Sequence, residues 1–133
     1  PDGSFILGTE SGMLYRLEPP AGTSGAQFVP LFEAFDLIPA AAAISDKGTV
    51  YFVSEDGWLY ALRADGRLQW RQELAIGDKD MYYASSPVIG PDGTVYVGSW
   101  DGGLYAFHGD GPPAPSFWPQ HRRDATHTGR LDH

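Results

Sequence analysis

The stretch Gly48-Thr49-Val50-Tyr51-Phe52-Val53-Ser54-Glu55-Asp56-Gly57-Trp58-Leu59-Tyr60-Ala61-Leu62 decides the fold. Two apolar runs, from Val50 to Val53 and from Trp58 to Leu62, flank Asp56-Gly57, a dipeptide suited to the positive φ of a hairpin turn. β-branched and aromatic residues dominate both runs, as a pleated surface favours. Their apolar residues are consecutive. Neighbouring side chains of a strand point to opposite faces, so consecutive apolarity predicts that both faces are covered.

The same pattern occurs three times without a gap: GSFILGTESGMLYRL from Gly3, GTVYFVSEDGWLYAL from Gly48 and GTVYVGSWDGGLYAF from Gly93, at a constant interval of 45 residues. Glycine at the first and tenth positions and Leu-Tyr at the twelfth and thirteenth recur in all three. A fixed interval marks a repeat architecture, in which each unit is one supersecondary element that buries its faces against its neighbours.

Outward from the central copy, Asp46-Lys47-Gly48 turns into it and Ala64-Asp65-Gly66 turns out of it. Four antiparallel strands follow at about 41–45, 49–54, 58–63 and 67–74, then a connection over 75–83 and a new first strand over 84–89. The first copy has a second and a third strand and a fourth over 27–35, with no first strand before Pro1. The last has three strands, and a Gly/Pro linker over 109–115 stands where the turn into its fourth belongs. Residues 18–25 (EPPAGTSG) form a polar insertion, expected to be flexible.

Four short strands per repeat of this length predict an all-β fold of β-propeller blades, each of four antiparallel strands. The expected organisation is a single partial domain over 1–133, with blades at about 1–36, 40–75 and 84–117 and a closing tail over 118–133. These are about three blades of a larger ring, incomplete at both ends. The expected partners are further blades of the same protein or copies of the chain that self-associate through open edges.

Composition narrows the function classes. The 133 residues carry a net charge of −8, and 17 Gly with 11 Pro argue against a helical bundle. The absence of cysteine removes thiolate metal sites, disulfides and thiol nucleophiles. No apolar run is long enough for a membrane-spanning helix. The acidic balance opposes nucleic-acid binding, which needs clustered Lys and Arg. No GxSxG, HExxH, Walker or GxGxxG arrangement occurs.

The pattern G-T-V-Y-V-G-S-x-D-G-x-L-Y-A-[LF], followed by A-x-G-x-x-x-W, resembles the PQQ-like (quinoprotein alcohol dehydrogenase-like) β-propeller repeat. The run from Ala61 to Trp70 resembles that family's tryptophan-docking motif, though shorter and with Arg63 where the family often has Asp. The resemblance implies that Trp70 packs between blades and that Gly66 makes the turn. Trp118-Pro119, Asp124 and Thr128-Gly129 resemble the WP…D…TG segment that closes such propellers. A periplasmic or extracellular location follows from the same resemblance.

Activity is less specific, because the family includes dehydrogenases, assembly lipoproteins and sensor domains. One reading is a non-catalytic binding or scaffolding part of such a propeller, with no cofactor. Another is the C-terminal part of a PQQ-dependent dehydrogenase or another propeller enzyme, with the active residues, and any quinone and calcium, outside the chain; the missing Cys-Cys pair weighs against the dehydrogenase. A third is an assembly factor that captures partners by strand addition at an open edge.

Meander geometry puts the turns between second and third strands on the same face as the connections between repeats. That face carries Thr9-Glu10-Ser11, Ser54-Glu55-Asp56 and Ser99-Trp100-Asp101, with Asp78, Asp80, Tyr82 and Tyr83 from a connection. Trp100 stands where the other copies have Glu. Aromatic rings beside carboxylates suit a sugar ring, a peptide or a cation, which makes Trp100, Asp101, Tyr82, Tyr83, Asp78, Asp80 and Glu55 the ligand-binding candidates. The blander reading is a solvated face whose Asp-Gly aspartates only form turns. Trp58, Trp70, Tyr15, Tyr60, Tyr105, Gly66 and Trp118 read as structural. His121, His127 and His133 recur every six residues, which is not the spacing of a helical metal face, and no metal centre is expected. No residue reads as catalytic, and whether the whole protein is an enzyme stays open, with binding favoured.

Overall fold

In the computed structural model, which describes residues 4–23, 25–74, 84–99 and 102–115, the described residues form ten strands and no helix. They make three antiparallel sheets. The first sheet joins β1 (Phe5–Gly8), β2 (Met13–Glu18) and β3 (Gln27–Glu33) in chain order. The second joins β4 (Ala43–Ile44), β5 (Val50–Val53), β6 (Trp58–Leu62) and β7 (Leu68–Glu73), the four-stranded meander expected of the central copy. The third joins β8 (Val88–Ile89), β9 (Thr94–Gly98) and β10 (Leu104–His108).

The repeat is written into the backbone hydrogen bonds. The Thr9 amide donates to Met13 O and the Gly12 amide back to Thr9 O; the pairs Ser54–Trp58 and Gly57–Ser54, then Ser99–Gly103 and Gly102–Ser99, repeat this in one shared register, all at 2.9–3.2 Å. Each pair of bonds encloses a three-residue hairpin loop that ends on a glycine in the left-handed region, with φ of 81°, 87° and 83° at Gly12, Gly57 and Gly102. The turns before the second strands repeat as well: Ser45–Thr49 with Gly48–Ser45 matches Gly90–Thr94 with Gly93–Gly90.

The sheets lie face to face, and the middle one is covered on both sides. Val50, Phe52, Tyr60 and Leu62 join Leu14, Ala34 and Ile38 in one apolar cluster, with Ile6, Leu31 and Phe32 of the first sheet against it. Tyr51, Val53, Leu59 and Ala61 point the other way and join Ile89, Val95 and Val97, with Tyr105 and Phe107 of the third sheet. All four residues of β5 are buried, whereas β7, at the edge of its sheet, is mostly exposed. The expectation of two-sided burial fails at the outer sheets: Phe5, Leu7 and Phe28 on the first and Tyr96 and Leu104 on the third are exposed. Among the described residues nothing covers the outward faces of those two sheets, and alternate residues there meet solvent.

After β10 the chain leaves its own sheet. The Asp46 amide donates to Pro112 O and the Ala114 amide to Ile44 O, both at 2.8 Å, and Pro113 bridges Ser45 in the antiparallel sense. Residues 112–114 thus line the free edge of β4. The route crosses the Gly93 turn so closely that a Cβ on Gly109 would stand 2.2 Å from Gly93 O.

Candidate functional site at the loop end

One end of the stack gathers the connection 34–38 and the hairpin loops of the first two sheets. The Ala34 amide donates to Gly12 O at 2.9 Å and the Ile38 amide to Thr9 O at 3.0 Å. On the other side the Glu55 amide donates to Leu37 O at 2.9 Å, and the buried Ser54 hydroxyl donates to Asp36 O at 2.8 Å. The connection is therefore stitched to both loops, and connection and hairpin loops share one surface as the strand order requires.

At this end the seam between the first two sheets carries a cluster of rings and charges. The Arg71 guanidinium lies 4.5 Å from the centre of the half-buried Trp58 ring and 6.0 Å from that of Phe35. A cation over an aromatic face is held by the ring quadrupole. Phe35 itself is 85% exposed, an unusual position for a large apolar ring. Beneath them Phe52 and Tyr60 stack at 5.0 Å, and Phe32 of the first sheet meets both. Asp56 ties the cluster together: its carboxylate accepts from the Trp58 amide at 3.0 Å, from the Phe35 amide at 3.4 Å and from the Tyr60 hydroxyl. Burial, then the neighbouring Asp56 carboxylate, push the Tyr60 phenol above the ordinary tyrosine range, with Arg71 acting in the opposite sense. The hydroxyl stays a proton donor to Asp56.

A second polar cluster occupies the opposite end. Thr49 and Tyr51 donate hydroxyl hydrogen bonds to the Asp110 carboxylate, the latter at 3.2 Å. Burial pushes the Tyr51 phenol up to about 12. At Asp110 burial raises the carboxyl, but hydrogen bonds from Thr49, Ser45 and Tyr51 outweigh it and hold the group below its usual value. This cluster fastens the segment after β10 to the middle sheet.

Of the ligand-binding candidates, Glu55 lies on the loop end with its amide bonded to Leu37. Trp100, Asp101, Tyr82, Tyr83, Asp78 and Asp80 fall outside the described residues, as do Trp118 and the tail histidines. Of the residues read as structural, those that are described lie between or within sheets. Trp70 stands between the second and third, 5.9 Å from the Tyr51 ring and 6.1 Å from Phe107. Gly66, at φ 87°, abuts the first sheet, and an added Cβ there would stand 2.5 Å from Leu31 O. Tyr60 is buried; Tyr15 meets Phe28 edge-on at 6.1 Å, and Tyr105 stacks on Phe107 at 6.4 Å. Asp56, Asp65 and Asp92 each accept from the amide two residues on, at 3.0 Å, as turn-forming aspartates do.

Sequence reasoning missed Phe35 and Arg71. Phe35 sits at the end of a strand-like run and Arg71 in an exposed strand, so neither has a periodic signal to single it out. Asp110 was read within a linker; its Gly-Asp-Gly-Pro-Pro setting masks a carboxylate that bonds to residues about 60 positions earlier. Among the described residues no three His, Asp or Glu side chains converge as a metal centre requires. The sequence matches no protein-family model and no curated protein. The resemblance to the PQQ-like repeat therefore rests on the chain's own residues.

Proposed function

We propose that the three sheets are blades of a PQQ-like β-propeller and that the chain is a non-catalytic binding or scaffolding part of an extracytoplasmic protein, taking a peptide or carbohydrate at the loop end. The observation that carries the binding role is the exposed Phe35 ring beside Arg71 and Trp58, with Asp56 adjacent. Flat apolar rings next to a cation and a carboxylate give a ligand apolar area together with oriented polar contacts. The blade reading is supported by face-to-face stacking at a constant 45-residue interval, in which the last strand of the middle sheet is its most exposed. By sequence position Trp100 and Asp101 correspond to Glu55 and Asp56 one repeat earlier, which is the ground for keeping them among the binding candidates.

A panel of oligosaccharides and short peptides, followed by amide chemical-shift mapping, tests the assignment. Binding is expected to perturb the amides of residues 9–11, 34–38 and 54–57. It should weaken at least tenfold in Phe35→Ala and Trp100→Ala with melting temperature unchanged, the loss of about 1.4 kcal/mol or more expected of a binding ring. A ligand that instead shifts the turns at 45–48 and 90–93, or binding indifferent to both substitutions, would overturn the loop-end assignment. Addition of PQQ with calcium, read by quinone absorbance, separates this reading from the dehydrogenase alternative.

A further inference from the structure

Arg71 is a positioned cation without an ion pair among the described residues. The pairs found there are Arg16–Glu18 at 3.1 Å and Arg67–Asp65 at 3.6 Å, and Arg71 belongs to neither. It is exposed on β7, yet its guanidinium is held in place, 4.5 Å from the centre of the Trp58 ring and with Tyr60 directly opposite it in the ladder. The Tyr60 hydroxyl faces the guanidinium and donates to Asp56 on its other side. A guanidinium laid over a ring keeps the N–H groups along its edge for a planar acceptor.

The other polar groups of the loop end are engaged with the loops themselves. Asp56 accepts from the Trp58 and Phe35 amides and from Tyr60, and Asp36 accepts from the Leu37 amide at 2.8 Å. Glu73, opposite Trp58 in the ladder, and Glu55 form no ion pair among the described residues. The hydroxyls are turned inward too: Ser54 donates to Asp36 O at 2.8 Å and Thr9 to Met13 O at 3.0 Å. A sugar ring needs several such groups to meet its own hydroxyls. What this end offers an incoming molecule is the exposed Phe35 ring and, 6.0 Å from its centre, the Arg71 guanidinium.

We propose that the loop end takes a peptide that presents a carboxylate beside an apolar side chain, Arg71 binding the carboxylate and Phe35 the apolar group. The inference rests on the loop-end reading above and narrows its ligand to one class. A carboxylate accepts two parallel N–H bonds from a guanidinium, which fixes orientation as well as charge. Consecutive residues of a peptide stand about 3.8 Å apart, so a carboxylate on the same residue as the apolar side chain, or on the next, reaches from Phe35 to Arg71. A chain end and an acidic side chain both supply that group. The nearby carboxylates of Glu55, Asp56 and Glu73 favour a singly charged acceptor over a doubly charged phosphate, because like charges repel.

Amide chemical-shift titrations test it with two matched pairs of probes: N-acetylleucine against its amide, and N-acetyl-leucyl-glutamate with an amidated chain end against its glutamine counterpart. At least one acid should shift the amides of residues 34–37, 56–58 and 70–72 and bind at least tenfold more tightly than its neutral partner; which acid does so tells a chain end from a side chain. Arg71→Gln should abolish the preference for the acid, and Arg71→Lys, which keeps the charge and loses the planar fork, should retain only part of it. Arg71 is exposed, so both variants should keep the circular dichroism and melting temperature of the parent. Acids that bind no better than their neutral partners, a preference that survives Arg71→Gln, or binding of glucuronate in place of the peptide acids would overturn the proposal. If acid and neutral probes bind equally and both are lost in Phe35→Ala, the loop-end reading stands and only the carboxylate is refuted. Probes that shift the turns at 45–48 and 90–93 instead would refute both.

Discussion

At the level of single residues, the fold leans on a few side chains that serve turn and core together. Asp56 caps its own hairpin loop through the Trp58 amide and also accepts from the buried Tyr60 hydroxyl. Asp56→Ala leaves both donors without that partner and should lower stability by about 1–3 kcal/mol, measured by urea unfolding; an unchanged midpoint would show that water replaces the carboxylate freely. The sequence made Asp56 legible as a turn former, because Asp-Gly chemistry is local. Its bond to Tyr60 depends on a cross-strand geometry that no spacing rule encodes. Tyr51 and Asp110 give opposite pH limits. The Tyr51 phenol is raised to about 12 in the folded chain, so the unfolded chain loses its proton first on the alkaline side. Stability is then full below pH 10 and falls between about 10 and 12, a fall that Tyr51→Phe should reduce. The Asp110 carboxyl is held low, so its contribution is present above the ordinary aspartate value and is lost as pH drops below it, a loss that Asp110→Asn should lessen. Unfolding midpoints across pH check both signs.

Among the strands, those with sharp chemical punctuation were readable and those without were not. Glycines at positive φ close the hairpins, and the expected strands at 49–54, 58–63 and 67–74 appear as β5, β6 and β7 to within about a residue at each end. The first strands of the second and third units, β4 and β8, are shorter than expected. At β8 the preceding residue is Pro87, which has no amide hydrogen to extend the ladder. The pairing of residues 112–114 with β4 was invisible, because Pro112 takes part through its carbonyl alone and the run has no strand periodicity. Turn glycines differ in what surrounds them, and that difference is measurable. Gly66→Ala combines a disfavoured φ with backbone 2.5 Å from the new Cβ, whereas Gly102→Ala, at a similar φ, meets open space. The first should lower the melting temperature clearly more than the second, which bears only the backbone strain of about 1–3 kcal/mol; equal losses would mean that the first two sheets are not in contact at Gly66. Trp70→Ala should cost about 2–4 kcal/mol, somewhat below the range for a fully buried indole because the ring is only partly covered.

For the molecule as a whole, the central claim is that one sheet is sandwiched between two others related to it by the 45-residue repeat. Consecutive apolar residues in Val50–Val53 announced two-sided burial. The same signal in the first and third copies predicted cover that the described residues do not supply, because periodicity reports what a strand is built to meet and not whether the neighbour is present. The loop-end surface was legible in outline, through strand order, and illegible in detail, since Phe35 and Arg71 meet only after two sheets are stacked. Isotope-edited nuclear Overhauser spectra of the aromatic rings test the sandwich most directly. The account predicts contacts from Phe52 and Tyr60 to Phe32 on one side and from Trp70 to Phe107 on the other, with ring centres 5.4–6.1 Å apart. Contacts on one side only, or Phe32 and Phe107 both reporting to the same face of the middle sheet, would contradict it.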